Sequence, residues 1–434
     1  MFVFHQFDLK SAFYFSWNST SSDSYFGNTV AWSRDGTRLA IGHKKNSQKN
    51  HNRTCFGVLD VEAYQACDQQ AQPADPGFES GAVFLYEFTN NTWSLTHVIK
   101  PNLISGYEFG HQVEFSDDGT SLVVTSVRDN RGRLDTVSTT KEAEYNALLK
   151  GASVLSGGGS GVGAIYRYAL NNGNWQFKYY SSLSNNIGLG TQVVQANNIF
   201  VIRSQMSMYA LVQDRLTELV RFNVNDTHLI DDIAMSNERL VVGLTNMEGV
   251  CQHVVTQTEA MKKCFEATKS PVKAGGVMMY DWSVDNESLA AKITAVALFN
   301  AEEPKKNQAF GQRVSLSDHG TLLVSMQHNG ACAGVFDHVA ACQKKNDKTA
   351  NRSGAVYAYQ DLELSAFIKP KYTAPNGAFG EKGLYSVGKK HYILMGDHRL
   401  CTGYEPIGNI IKACPPLSIN LDSLIPQFFV LQQE

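Results

Sequence analysis

One short segment recurs six times along this chain of 434 residues, and it limits the architecture more than any other feature. Its clearest copy is Tyr25–Gly42, YFGNTVAWSRDGTRLAIG. Phe-Gly is followed by alternating apolar positions (Val30, Trp32), an Asp35-Gly36 turn and a second apolar run that ends in Gly42. Alternation with period 2 buries one face of a strand, and Asp-Gly suits the positive-φ positions of a two-residue type I′ turn. The segment therefore predicts a β-hairpin. Phe109–Thr125 (FGHQVEFSDDGTSLVVT) and Phe310–Ser325 (FGQRVSLSDHGTLLVS) repeat it closely, and Leu189–Ile202, Leu229–Gly243 and Phe379–Gly396 are looser copies. A unit repeated in this way needs neighbours stacked on it to bury its apolar face.

Each hairpin precedes a loop of variable length and a second strand pair. The third strand opens on glycine: Gly81 before AVFLY, Gly163 before AIYRY, Gly276 before VMMY and Gly354 before AVYAY. The fourth carries Trp93 in NNTWSLTHVIKP and Trp175 in NNGNWQFKYY. Four antiparallel strands in a unit of about 40 residues make the blade of a β-propeller. The copy at Leu189 is bare, with 40 positions to the next at Leu229. The expected fold is thus all-β, a propeller of six four-stranded blades by count of inner hairpins, with seven as the alternative. Residues 1–415 form one propeller domain in this reading, with the strands in 1–17 helping to close the ring. Residues 416–434 form a C-terminal tail or a closing or assembly strand.

Phe-Gly, a hairpin, and then Gly-Ala-Val-Tyr-x-Tyr together resemble the FG-GAP repeat of integrin-α-type propellers, from Phe26 to about Gly396. The resemblance implies a propeller and, by family, a role in adhesion or ligand binding. Calcium-binding members carry an acidic loop between the first two strands. Here that place holds Arg34-Asp-Gly-Thr, Asp117-Asp-Gly-Thr and Asp318-His-Gly-Thr, with too few oxygen ligands for calcium. The family's metal sites are therefore not carried over, and no cofactor is expected.

The eight cysteines fall as Cys55/Cys67, Cys251/Cys264, Cys332/Cys342 and Cys401/Cys414, each pair in the loop after a hairpin's second strand. This recurrence selects four sequential disulfides that staple loops at one end of the blades. Each loop closed without strain contributes roughly 3 kcal/mol. Zinc sites favour C-x₂₋₄-C spacing with nearby histidines, and these gaps are longer. Disulfides imply an oxidising compartment. Six sequons agree with it: Asn18, Asn52, Asn90, Asn225, Asn286 and Asn351. The N-terminus, MFVFHQFDLK, lacks the basic and apolar regions of a secretory signal. That leads us to expect that the sequence begins inside a longer precursor.

Net charge is −3 without a basic stripe, which disfavours nucleic acid and anionic membrane as partners. No apolar run approaches the ~20 residues that span a bilayer. The large insertions, Lys44–Ser80, Arg128–Val162, Thr245–Ala274, Gln327–Ser353 and Asp397–Leu417, all lie between strands two and three. Long loops at one end of a rigid scaffold are where binding usually resides. Within the second, Lys141–Lys150 predicts one short helix capped by Thr139 or Thr140.

Chemistry-bearing motifs are weak. Ser156–Gly163, SGGGSGVG, lacks the Lys-Ser/Thr of a phosphate loop and precedes a strand rather than a helix. His111 and His319 belong to repeat hairpins, while His51, His253, His328 and His338 lie in insertions without metal-ligand spacing. No Ser-His-Asp order or G-x-S-x-G elbow appears. The expectation is a non-catalytic extracellular glycoprotein, a structural or assembly subunit of a cell-surface filament or appendage. Its partners are copies of itself or other extracellular proteins. The alternatives are an adhesion or ligand-binding module using the insert-bearing face and, after it, a secreted enzyme.

Overall fold

The computed structural model describes residues 2–4, 12–14, 25–46, 56–67, 79–101, 106–129, 137–145, 161–183, 188–222, 230–247, 251, 254–266, 274–285, 287–302, 308–327, 332, 334–342, 352–369, 378–381, 383–387, 390–395, 411–413 and 427–432. β1 (Phe2–Phe4) and β2 (Ala12–Tyr14) pair only with each other among these residues. The rest of the strands form antiparallel sheets of four or five, each starting with one of the six predicted hairpins.

The first sheet runs β3 (Phe26–Trp32), β4 (Arg38–His43), β6 (Ala82–Thr89), β7 (Thr92–Lys100), β5 (Gly57–Asp60). The second runs β8 (Phe109–Phe115), β9 (Ser121–Ser126), β11 (Ala164–Asn171), β12 (Asn174–Ser182), β10 (Val137–Thr139). The third has four strands, β13 (Gln192–Ala196), β14 (Ile199–Arg203), β15 (Ser207–Val212) and β16 (Arg215–Arg221). The fourth orders β17 (Asp232–Met235), β18 (Arg239–Leu244), β20 (Gly276–Asp285), β21 (Ala290–Phe299), β19 (Val254–Val255). The fifth orders β22 (Val314–Leu316), β23 (Leu322–Met326), β25 (Ala355–Gln360), β26 (Glu363–Lys369), β24 (Gly334–Phe336). In the sixth, β27 (Leu384–Val387) and β28 (Lys390–Met395) are followed by β30 (Gln427–Gln432) and then β29 (Ile411–Ala413). The strand near the C-terminus thus takes the third place in the sixth sheet, paired with β28 from Lys390↔Gln432 to Met395↔Gln427.

The chain divides into two compact units, one of residues 1–221 with 285–291 and one of 222–284 with 292–434. Within each, successive sheets pack face to face, because alternate strand residues are apolar on both faces. In the first unit, Val83, Leu85 and Ile99 meet Phe109, Val113, Val124 and Tyr166. Val123, Ile165 and Tyr179 in turn meet Val193, Phe200, Ile202 and Leu211. In the second, Val241, Val277 and Phe299 meet Phe310, Val314 and Tyr357, and Val356 and Ile368 meet Phe379, Leu384 and Ile393.

The Phe-Gly pair is the clasp between sheets. Gly81 bridges Phe109 in parallel, and Gly163–Leu189, Gly275–Phe310 and Gly354–Phe379 repeat the contact. In each, the Phe or Leu amide donates to the carbonyl just before the third-strand glycine, as in Phe109 N to Ser80 O at 3.0 Å. The backbones cross so closely that a Cβ on Gly81 would lie 2.0 Å from Phe109 O, and one on Gly110 would lie 2.5 Å from Ala82 O. Both glycines also sit at positive φ, 91° and 83°. The aromatic packs against the third strand of its own sheet, with Phe109 4.9 Å from Tyr166 and Phe310 5.2 Å from Tyr357. In the fourth sheet the clasp glycine is Gly275, one residue before the Gly276 that the sequence pattern selects.

The inner turn differs from the two-residue type I′ expected at Asp35-Gly36. The loop spans Arg34–Thr37, closed by Ser33 N to Arg38 O at 3.0 Å, and only Gly36 has positive φ. Asp35 decides this. Its carboxylate accepts from the Ser33 hydroxyl at 2.5 Å, Thr37 N at 3.0 Å and the Thr37 hydroxyl at 2.8 Å. Those bonds keep Asp35 itself out of the left-handed region. Asp118 repeats the arrangement with Ser116 and Thr120. Turns with two successive left-handed residues, the type I′ signature, occur instead at Asn90-Asn91, Asn172-Gly173, Asn197-Asn198 and Asp361-Leu362.

Candidate functional site

The insertions share one construction plan. In four sheets a described strand of the insertion pairs with the last residues of the fourth strand, on the outer side of the sheet. β5 lies against His97–Lys100, β10 against Tyr180–Ser182, β19 against Leu298–Phe299 and β24 against Phe367–Lys369. A helical turn follows at each: α1 (Val61–Cys67), α2 (142–145), α3 (Thr258–Glu266) and a 3-10 turn at Val339–Cys342. Asp60 caps α1 by accepting from Ala63 N at 2.7 Å. Thr139 accepts from Lys141 N at 3.0 Å, one of the two caps anticipated for that helix. The turns sink one large side chain against the sheet. Tyr64 packs 5.6 Å from Phe84, and Tyr145 stacks 5.1 Å from Phe177 beside Tyr166 and Tyr180; in α3 Met261 is buried. The described parts of these four insertions are therefore annealed to their sheets.

Beneath them lie buried polar anchors. Lys100 Nζ donates to Asn46 Oδ1 at 2.8 Å, Gly81 O at 2.8 Å and Ser80 Oγ at 3.2 Å, and the Asn46 amide meets the Tyr64 hydroxyl at 3.1 Å. Lys369 does the same in the fifth sheet, donating to Ser353 Oγ at 2.6 Å and Gly354 O at 2.5 Å. In the second sheet Ser182 Oγ reaches Gly163 O at 2.8 Å, and Asp129 receives the Tyr166 hydroxyl at 2.7 Å. Each anchor fixes the glycine that forms the clasp. Burial lowers the Lys369 pKa to about 7, and burial together with the Lys100 charge lowers that of His43 to about 4. The pairing of Ser-Gly with a later Lys-Pro (Ser80/Lys100, Ser353/Lys369) is the sequence signal for these two anchors.

At the seam of the first two sheets these features meet a charged cluster. Glu108, 5% exposed, lies 3.2 Å from Arg128, 3.7 Å from His111 and 3.9 Å from Lys44, and Lys45 pairs with Glu79 at 3.3 Å. Burial works against the Glu108 carboxylate, but the His111 ring and the Lys44 and Arg128 charges outweigh it and hold its pKa below the usual glutamate value. Lys44 and Lys45 ammonium groups stand 5.0 and 4.7 Å from the ring centre of Tyr25, itself 39% exposed. Asn28 ties the seam from the first sheet, donating to Gly110 O and His111 O at 3.0 Å each. The cluster presents an aromatic ring and fixed charges, an arrangement suited to recognising polar groups. At the opposite end of the second sheet, burial and the Asp117 charge raise the Glu114 pKa to about 8. Among the described residues no group of three His, Cys, Asp or Glu converges as a metal set.

Of the predicted disulfide residues, Cys251 and Cys264 are joined, Cα to Cα 5.8 Å, tying the approach to β19 onto α3. Cys332 is disulfide-bonded, and Cys67 and Cys342 end helical turns. Cys55, Cys401 and Cys414 lie outside the described residues. Of the sequons, Asn90 sits exposed in the β6–β7 turn; Asn18, Asn52, Asn225, Asn286 and Asn351 lie outside the described residues. No helix among the described residues is long and apolar enough to cross a membrane.

No protein family profile and no curated protein sequence matches the chain. Among solved structures it is similar to a Kuenenia stuttgartiensis hydrazine synthase at 9% identity and TM-score 0.40, covering 88% of this chain and 76% of that one. It is also similar to a structure titled Dos1 propeller at 8% identity and TM-score 0.36, covering 84% and 66%. Neither likeness bears on function.

Proposed function

We propose that the chain is a β-propeller of the FG-GAP kind, acting as a non-catalytic structural or assembly subunit of an extracellular, glycosylated coat or filament. The observation that carries this reading is the common plan of the insertions. Four of them extend a sheet by a strand and add a helical turn, and in three of those sheets a buried polar anchor fixes the clasp glycine. Such elements make a broad rigid surface, the kind that packs against other proteins. The inner turns argue against calcium, since Asp35 and Asp118 spend their oxygens on neighbouring Ser, Thr and backbone groups. The disulfide and the sequons fit an oxidising compartment.

Negative-stain electron microscopy of the secreted chain over a range of concentrations tests it. Regular filaments or arrays are expected. Discrete particles at every concentration would contradict the assembly role. The second reading, an adhesion or ligand-binding module, has the seam cluster in its favour. Tyr25, Lys44, Lys45 and Arg128 present a ring and cations at the insert end of the first two sheets, where a soluble partner could dock.

A further inference from the structure

We propose that Asn90 carries an N-linked glycan whose first sugar packs on the aromatic pair Phe88 and Trp93 at the tip of the β6–β7 hairpin. The inference rests on the extracellular reading above and goes beyond it by naming one modified residue and the surface that holds the sugar.

The tip reads Phe88-Thr-Asn-Asn-Thr92, a sequon in which an aromatic residue precedes the acceptor by two positions. Asn90 and Asn91 turn the chain with φ of 51° and 58°, and both are exposed. The two-residue turn leaves Asn90 exposed at the hairpin tip. Phe88 pairs in register with Trp93, their ring centres 5.1 Å apart, and Trp93 stands 5.3 Å from Trp32. These rings are only half-buried although every residue from Thr89 to Thr92 is exposed, so the hairpin tip carries apolar aromatic surface into solvent. A pyranose ring has an apolar face of C–H groups that suits the negative face of an aromatic ring. A sugar on Asn90 would therefore cover surface that otherwise stays wet.

Other outer tips lack the combination. Asn172-Gly173 makes the same turn beside Trp175 but is followed by Asn174, so it is no sequon. Asn286 is a sequon between β20 and β21, but Val284 takes the aromatic's place. The transfer itself draws on a lipid-pyrophosphate-linked oligosaccharide. The Asn90 Nδ2–C1 bond forms as the C1–O bond to the pyrophosphate breaks. The lipid pyrophosphate leaves with the electron pair, and one Nδ2 proton is released.

The test uses the full chain secreted from a eukaryotic host. Peptide N-glycosidase in heavy-oxygen water tags every occupied Asn as labelled Asp, and mass spectrometry reads the sites. Asn90 is expected to be tagged. Native glycan removal is then expected to lower Tm in the parent chain and to lower it markedly less in Phe88→Leu. If that variant is not secreted, Trp93→Leu supplies the same comparison. Asn90 untagged while other sequons are tagged overturns the inference and leaves the extracellular reading standing. No tagged sequon at all overturns both. An equal loss of Tm in the two backgrounds overturns the packing on the aromatic pair.

Discussion

Replacing Gly81 by alanine should be among the most damaging single-methyl changes available in this chain. Two separate costs meet there. At φ 91° an L-residue is strained by about 1–2 kcal/mol. The added Cβ would also lie 2.0 Å from Phe109 O and 2.6 Å from Phe109 N, and both are backbone atoms with no rotamer to relieve them. The sheets must part, which gives up the Phe109 N to Ser80 O bond, worth about 1 kcal/mol net, and loosens the apolar seam behind it. The sum is about 3–5 kcal/mol, at the upper end of single substitutions. Two controls separate the causes. Gly36 has φ 70° with nothing within 4 Å of its would-be Cβ, so Gly36→Ala carries strain alone, about 1–2 kcal/mol. Gly42 has no positive φ, but its Cβ would lie 2.3 Å from Gly110 O, so Gly42→Ala carries the steric cost alone. Urea denaturation followed by tryptophan fluorescence should rank Gly36→Ala as mildest, Gly42→Ala next and Gly81→Ala as worst. A Gly81→Ala midpoint equal to that of Gly36→Ala would refute the clasp.

Three further outcomes follow from the anchors and turns. Lys369 has a folded pKa near 7 against an ordinary 10.5, so between those values the unfolded chain binds the extra proton. Stability should therefore rise with pH across that window in the parent, and the difference from Lys369→Met, followed by thermal melts, should change there. Asp35→Ala removes three accepted hydrogen bonds and should cost about 1–3 kcal/mol. The bonds from Ser33 and Thr37 outweigh burial and lower the Asp35 pKa below 3.8, so its contribution is complete above that value and lost as pH falls through the lower folded one. Cys264→Ser should destabilise by roughly 3 kcal/mol in denaturant titrations. Non-reducing peptide mapping should recover Cys251 linked to Cys264, and a partner other than Cys264 would contradict the structure.

The strands were legible because their signal is local. Alternating apolar residues at Val30 and Trp32, or Val113 and Phe115, identify a hairpin whatever surrounds it. The Phe-Gly pair marks the start of each close copy, but its role as the contact between sheets emerges only from the pairing of Phe109 with Gly81. The turn type is not legible locally because Asp35-Gly36 looks alike in two loops. What separates them is the hydrogen bonding of Ser33 and Thr37, two residues away on either side. His319 in the third close copy shows the point. It cannot hold the loop as Asp35 does, and Thr321 instead donates to Gln360 on the neighbouring strand at 2.8 Å.

The insert strands are not legible in the sequence because two to four residues carry no periodicity. Val254–Val255 pairs with Leu298 and Phe299 only through tertiary contact. The helical turns leave a trace in EAY, EAEY and EAM, where the last residue is buried, but the spacing from the hairpins varies. The seam cluster could not be read at all, since Lys44, Glu108 and Arg128 are brought together by the stacking of two sheets.

The proposed propeller requires successive sheets, joined through Phe-Gly clasps, to close into one ring with all insertions at the same end. Single-particle cryo-electron microscopy of the full chain measures this. Class averages should show a ring of six blades around an axis, with added density on one side only. Two separate lobes without a common axis, or insertions divided between both sides, would contradict it.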